Sequence, residues 1–239
     1  MTLIRIFYKG KLSVGEKLIL NQENNVNYVV NVMKRKIDDK IIFVNGKDGE
    51  FIGKIINITK REITVIVIEK TRDFKIPNFV GLIFSPIQKI DLLVKNATEM
   101  GVTDFFPFKS QYGQYSRKIN KIEPNIIEAV EQCERLDFPV IHQEKSLKEI
   151  LDDIDKDSSI IIFCEERSNN GLLNTIKNLD KNKKIYTIIG SEGGFSDSEK
   201  KLIKSYKNVY SVSLGDRILR AETATTCILS IIQEFFYEN

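Results

Sequence analysis

The chain has 239 residues, 42% of them hydrophobic and 29% charged, with a formal net charge of +3. That balance belongs to a globular protein with a real core and excludes a low-complexity or fibrous chain. No apolar run approaches the ~20 residues that a membrane-spanning helix needs.

The opening MTLIRIFYKG lacks the apolar stretch and small-residue cleavage site of a secretory leader, so a cytoplasmic protein with no membrane partner is expected. Cys133, Cys164 and Cys227 are odd in number and far apart, with no CxxC pair. They read as reduced core residues, not as a disulfide frame or a zinc site. The single histidine, His142, follows the apolar run Pro139-Val140-Ile141 and reads as structural or surface-lying. No metal is expected.

Residues 1–72 look all-β and basic. They hold 14 Lys+Arg against 8 Asp+Glu, a net +6, and the remainder has 22 against 25, a net −3. Such a segment suits an anionic partner, nucleic acid above all, or a solvated lysine-rich face. EKLILNQ, DKIIFVNG, GEFIGKIINITK and REITVIVIEK are short Ile/Val/Phe-rich runs separated by turns. VNGKDGEF joins two of them through Asn45-Gly46 and Asp48-Gly49, both hairpin dipeptides that tolerate positive φ. A helix is expected over residues 25–36. Five or six short strands with such turns suit a small barrel. The charged, proline-bearing TRDFKIPN, residues 71–78, marks the boundary, giving domains of 1–72 and 73–239.

From residue 79 strand and helix alternate, which implies a parallel sheet covered by helices. FVGLIFS reads as a strand. KIDLLVKNATEMG places Ile90, Leu93, Val94 and Ala97 on one helical face. DFFPF is a strand, Pro124 opens a helix, and FPVI is strand-like. Ser146-Leu-Lys-Glu149 is a capping box. SSIIIFCEE is a strand of the kind buried on both faces, and KKIYTIIG and NVYSVSLG are two more. The last helix carries the stripe Ala224, Cys227, Ile228, Ile231, Ile232 and Phe235, a core or dimer face.

Two loops carry the chemistry. The strand ending at Gly190 runs into Ser191-Glu192-Gly193-Gly194-Phe195. A second capping box, Ser196 to Glu199, then opens a helix. The strand ending at Leu214-Gly215 runs into Asp216-Arg217-Ile218-Leu219-Arg220-Ala221-Glu222. Both loops lie at the carboxyl edge of a parallel sheet, where ligands bind. Each can also be a plain turn with local charge pairing. Neither G-x-G-x-x-G nor G-x-x-x-x-G-K-[ST] occurs, so the two common nucleotide fingerprints are absent. Two glycine-bearing strand ends in the last third of one sheet suggest one composite pocket.

IGSEGGFSDSE, followed by LGDRILRAETA, resembles the ribosomal RNA small-subunit uridine N3-methyltransferase family, part of the SPOUT superfamily of trefoil-knotted methyltransferases. RIFYKG, VNGKDGEF, KNATEMGV and EAVEQCER extend the likeness over nearly the whole chain. The resemblance implies a PUA-like β-barrel that helps bind RNA, followed by an α/β domain with a trefoil knot. It also implies a homodimer, S-adenosylmethionine as cofactor and methylation of N3 of a uridine in the 16S rRNA of the small ribosomal subunit. Carried onto this sequence, the cofactor contacts are Phe163, Cys164, Gly190, Glu192, Gly194, Leu214, Gly215, Ile218 and Leu219. Arg220, Glu222 and Glu192 are the catalytic candidates, and Arg5, Lys34, Arg35 and Arg117 the RNA-binding ones.

Uridine N3 carries a proton and is a weak nucleophile until it is lost, so the protein must align the reactants and stabilise a developing anion. Arg220 suits the second task, because an arginine stays protonated and can point at a uracil oxygen or a phosphate. Either glutamate can take the proton, orient an arginine or bind loop amides. The chain departs from the family pattern in several places. Ser191 stands where proline is usual, Tyr112 where an arginine is usual with Arg117 a candidate substitute, and Lys34 in place of an arginine beside Arg35. Tryptophan is absent altogether. Methylation of another RNA, or a non-catalytic RNA-binding dimer, are the rival readings.

Overall fold

Along ITVIVIEKTR the side chains alternate, so Ile63, Val65 and Val67 share one buried face of the strand that they form. The computed structural model describes residues 3–114, 119, 121–165, 168, 170–177 and 179–237. Within these the chain divides into two units, Met1–Ile76 with Val130–Phe138, and Pro77–Ala129 with Pro139–Asn239. The N-terminal unit thus takes in a stretch far along the chain from the expected boundary after residue 72.

That first unit is built on β1 (Ile4–Phe7), β2 (Lys17–Leu20), β3 (Lys40–Val44), β4 (Glu50–Ile58) and β5 (Ile63–Arg72). They form one sheet in the order β1-β3-β4-β5-β2, with β1 parallel to β3 and the other pairs antiparallel. Register shifts at three places between β4 and β5 increase the local twist. The β3–β4 hairpin is stapled by its own turn residues. The Asp48 N–H donates to Asn45 Oδ1 at 2.8 Å, and Asp48 Oδ2 accepts the Leu12 N–H at 3.0 Å. Gly46 and Gly49 take φ of +82° and +104° there, as the two dipeptides foretold.

The helix expected over residues 25–36 begins earlier and is shorter. α1 spans Glu23–Asn27, continues as one π-helical turn over Tyr28–Val32, and stops before Lys34, whose φ is +51°. The segment is rich in valine and asparagine, both weak helix formers, and only the packing of Val26 and Val29 into the core favours the helix.

The second unit holds a six-stranded, wholly parallel sheet. Its strands are β6 (Val80–Phe84), β7 (Asp104–Pro107), β8 (Val140–Ile141), β9 (Ser159–Cys164), β10 (Lys184–Ile189) and β11 (Val209–Val212). Their order is β11-β9-β10-β6-β7-β8, so β9, β10 and β6, like β7, lie between neighbours. This explains their near-continuous apolar runs. The helices are α2 (Ile90–Glu99), α3 (Glu123–Cys133, whose residues from Val130 on count with the first unit), α4 (Leu147–Asp153), α5 (Leu172–Ile176), α6 (Asp197–Lys204) and α7 (Ala221–Tyr237). Ile90, Leu93, Val94 and Ala97 are buried together on α2. Both capping boxes form, at Ser146 and at Ser196.

Two details differ from the sequence reading. α5 was not foreseen, because five residues are too few for a periodic signal. On α7 the deepest residues are Glu222, Thr225, Ile228, Leu229, Ile232 and Phe235, while Ala224, Cys227 and Ile231 are half-buried. Thr225 can enter the core because its hydroxyl donates to the Ala221 carbonyl at 2.8 Å, leaving no polar group unmet.

Candidate active site

Because the strands run parallel and adjacent, the ends of β9, β10 and β11 and the connection after β6 open on the same edge of the sheet. A cleft of about 990 Å3 lies there, at the upper end of the ~300–1,000 Å3 range of small-molecule sites. Phe163 and Cys164 line it from β9, residues 190–195 from the β10–α6 loop, and residues 213–222 from the segment entering α7, with only Asp216 outside the lining. All eleven residues expected to contact the cofactor or act in catalysis are among the lining.

The two loops differ in how they are held. The first is fastened. Phe195 packs edge-to-face on Phe163, with centroids 5.1 Å apart, and a Cβ on Gly190 would come within 2.7 Å of the Phe195 ring. Gly190 therefore has a packing reason of its own. The Ser196 cap then fixes the start of α6 through Glu199. The Glu192 carboxylate accepts the backbone N–H of Gln88 at 2.7 Å, tying this loop to the residues ahead of α2.

The second loop is open. Residues 215–218 are exposed, Ile218 at 69%. At Gly194 (φ +72°) and Gly215 (φ +116°), one in each loop, a Cβ would meet nothing within 4 Å. A ligand can approach the backbone closely at both.

Charges around the cleft are unevenly paired. Glu222 is buried in the first turn of α7, with Lys89 Nζ 3.9 Å from its carboxylate. Glu165 pairs with Lys204 at 2.8 Å. With Glu192 committed to an amide, all three acids have partners. Arg217 and Arg220 are exposed and make no ion pair among the described residues. Burial pushes the Cys164 thiol up to about 12 against a weaker opposing hydrogen bond from Thr187, so it is protonated at neutral pH and is no nucleophile.

Gln88 and Lys89 were not foreseen in the sequence. The β6–α2 connection is a third strand end at the same sheet edge, and that was the signal for them. The expected RNA-binding residues fare differently. Arg5 is 8% exposed and its guanidinium lies 2.5 Å from the buried Glu50 carboxylate. Arg35 is 7% exposed. Both are buried instead of lying on a surface, Arg5 in an ion pair with the equally buried Glu50. Lys34 is exposed, and Arg117 lies outside the described residues. Among the described residues no group of three or more His, Cys, Asp or Glu is placed to hold a metal ion, and no helix is long and apolar enough to cross a membrane.

A parallel sheet that presents two glycine-bearing strand ends to one cleft defines the class first: a protein that holds a nucleotide-sized molecule at its sheet edge. Comparison with known proteins narrows it. The family model described as RNA methyltransferase domain matches residues 74–233, and that described as RNA methyltransferase PUA domain matches residues 20–68. The ribosomal RNA small subunit methyltransferase E of Rickettsia conorii is 33% identical over 234 residues, covering 96% of this chain and 94% of its own. That of Bacillus subtilis is 26% identical, covering 87% and 86%. Among solved structures, the ribosomal RNA small subunit methyltransferase E of Neisseria gonorrhoeae, bound to S-adenosyl methionine, superimposes with a TM-score of 0.86 at 23% identity over 98% of each chain. A Legionella pneumophila protein in complex with the bound cofactor SAM gives 0.85 at 24% over 98% of each. The chain belongs to the RNA methyltransferase family that includes the ribosomal RNA small subunit methyltransferase E proteins.

Proposed function

We propose that this protein is an S-adenosylmethionine-dependent methyltransferase of 16S rRNA in the small ribosomal subunit, acting on N3 of one uridine. The observation that carries this reading is the cleft at the carboxyl edge of the parallel sheet, lined by both family motifs in a chain that matches such enzymes over most of its length. Its residues fit the cofactor. Gly194 and Gly215 leave the backbone open to it, Leu214, Ile218 and Leu219 offer apolar cover for an adenine ring, and no metal is required. When bound, the cofactor supplies a methyl group already activated on a sulfonium.

The chain's own residues then have distinct tasks. Arg220, exposed and without an ion pair among the described residues, meets the charge that develops on the uracil as N3 gives its proton to water. Arg217 and Lys200, also at the cleft, suit the RNA phosphates. Glu192 and Glu222 orient: the first holds the Gln88 amide, the second lies by Lys89. The N-terminal unit, with its excess of lysines and Lys34 at its surface, supplies RNA affinity. We also infer a homodimer and a trefoil-knotted path, in keeping with the family resemblance.

Calorimetric titration with S-adenosylmethionine tests the cofactor assignment. One site per chain with micromolar affinity is expected, and no heat of binding at millimolar cofactor would reduce the protein to an RNA-binding scaffold.

A further inference from the structure

The cleft has aromatic residues in its wall, but they belong to the core. Phe163 is fully buried, and Phe195 packs on it at 5.1 Å and on Phe108 at 6.3 Å. A different aromatic sits beside the cleft with its side chain half in solvent. Tyr112 is 49% exposed, and its Cβ would lie only 2.8 Å from a Cβ on Gly193, a residue of the cleft wall. We propose that Tyr112 is a base-stacking platform: its ring receives the pyrimidine of a single-stranded or locally opened RNA segment as the target nucleotide enters the cleft. This rests on the reading of the protein as an RNA uridine methyltransferase.

The backbone on both sides of Tyr112 is fixed by hydrogen bonds. Phe108, just after β7, donates its N–H to the Phe84 carbonyl at 2.9 Å. The buried hydroxyls of Ser85 and Ser110 are 3.0 Å apart, and the Gly113 N–H donates to the Ser110 carbonyl at 3.1 Å. The Gln111 N–H donates to Glu199 Oε1 at 2.9 Å, while Oε2 of the same carboxylate accepts the Ser196 N–H at 2.7 Å. One glutamate thus fixes the start of α6, which follows the glycine loop, and the residue before Tyr112. A glycine at 193 lets the two backbones close on each other. A side chain presented on so many fixed points, yet left half-exposed, has not been recruited for the core.

The chemistry needs such a group. N3 lies on the pairing edge of uracil and is inaccessible in a paired, stacked nucleotide, so the base must leave its stack before it can react. Stacking on an aromatic ring compensates for the lost neighbours and tolerates any base, because every base has a π-face. Arg220 and Arg217 have planar guanidinium groups, but these are assigned to the developing charge and to the phosphates, while Phe163 is buried and the partly buried Phe195 is packed against it.

The test uses small ribosomal subunits from a strain lacking the enzyme, with transfer of a labelled methyl group as the readout. Tyr112→Phe keeps the ring and is expected to retain kcat/KM for the subunit within about two-fold. Tyr112→Leu and Tyr112→Ala are expected to lose on the order of ten- to a hundred-fold, with the dissociation constant for S-adenosylmethionine and the thermal midpoint of the Leu variant unchanged. A Leu variant as active as the wild type would overturn the assignment. So would a loss of cofactor affinity that matches the loss of transfer, because the ring would then merely prop the glycine loop. A wild-type protein that transfers nothing to the subunit refutes the functional reading, and the platform with it; a transferring wild type with a fully active Leu variant refutes the platform alone.

Discussion

In the N-terminal unit Arg5 is enclosed between β1 and its neighbours, with Glu50, Arg72 and Glu134 in one ionic cluster. At the cleft, Arg217 and Arg220 are exposed and have no ionic partner among the described residues. The residue type is the same and the physical situation opposite. A buried guanidinium that already satisfies a buried carboxylate cannot turn to a phosphate without leaving that carboxylate uncompensated. An exposed, unpaired one can meet an anion at little conformational expense. Charge count alone therefore does not say which basic residues are free to meet an anion, and burial does: Arg5 is enclosed, while Lys34, Arg217 and Arg220 are exposed.

The largest expected effect comes from breaking the buried cluster. Arg5→Ala leaves the buried Glu50 with only Thr71 and the longer pair to Arg72, and should lower the unfolding free energy by up to about 3–5 kcal/mol, read from denaturant midpoints. If RNA affinity falls instead while stability is kept, Arg5 is a surface contact and the contrast fails. Arg220→Ala should do the reverse. Transfer should fall by about 100-fold or more, or ~2.7–4 kcal/mol in the transition state, while cofactor affinity and thermal midpoint stay at wild-type values. A smaller effect is expected at Glu192. Glu192→Ala removes the acceptor for the Gln88 N–H and should weaken cofactor binding by about ten-fold at most, roughly 1 kcal/mol. Glu192→Gln keeps an acceptor oxygen and should recover most of the loss.

Acidification separates the two regions in another way. Burial alone would raise the Glu50 carboxyl, but hydrogen bonds from Thr71 and Arg5 and the charges of Arg5 and Arg72 outweigh it and hold the group below its ordinary value of 4.5. The folded state then binds fewer protons there than the unfolded chain, so this contribution to stability is complete above about pH 4.5 and declines as pH falls through the lowered folded value. Comparing wild type with Glu50→Gln should show a stability difference that shrinks below pH 4.5. A difference that grows on acidification would contradict the sign of the shift.

Much of this was legible in the amino-acid order. The turn dipeptides Asn45-Gly46 and Asp48-Gly49, the capping boxes at Ser146 and Ser196 and the apolar run of β9 depend on local rules, and local rules can be read from neighbours. The two cleft loops were legible only as a pair, because either alone could be a plain turn, while two glycine-bearing strand ends on one sheet edge suggest a shared pocket. Less could be read where the outcome depends on distant partners. The burial of Arg5 follows from Glu50, 45 residues away. Lys89 reaches the cleft only because β6 pairs with β10, and Glu192 finds the Gln88 amide across 104 residues. α7 shows an intermediate case. Its apolar stripe was visible, but its phase was settled by a threonine whose hydroxyl could be satisfied within the helix.

The measurement that bears most directly on the proposed activity is nucleoside mapping of rRNA by mass spectrometry. Small subunits from a strain lacking the enzyme are incubated with this protein and methyl-labelled S-adenosylmethionine. The account predicts label in N3-methyluridine at a single position of the 16S rRNA, absent when Arg220→Ala replaces the wild type. Label in a different nucleoside, or the same yield from the Arg220 variant, would contradict it.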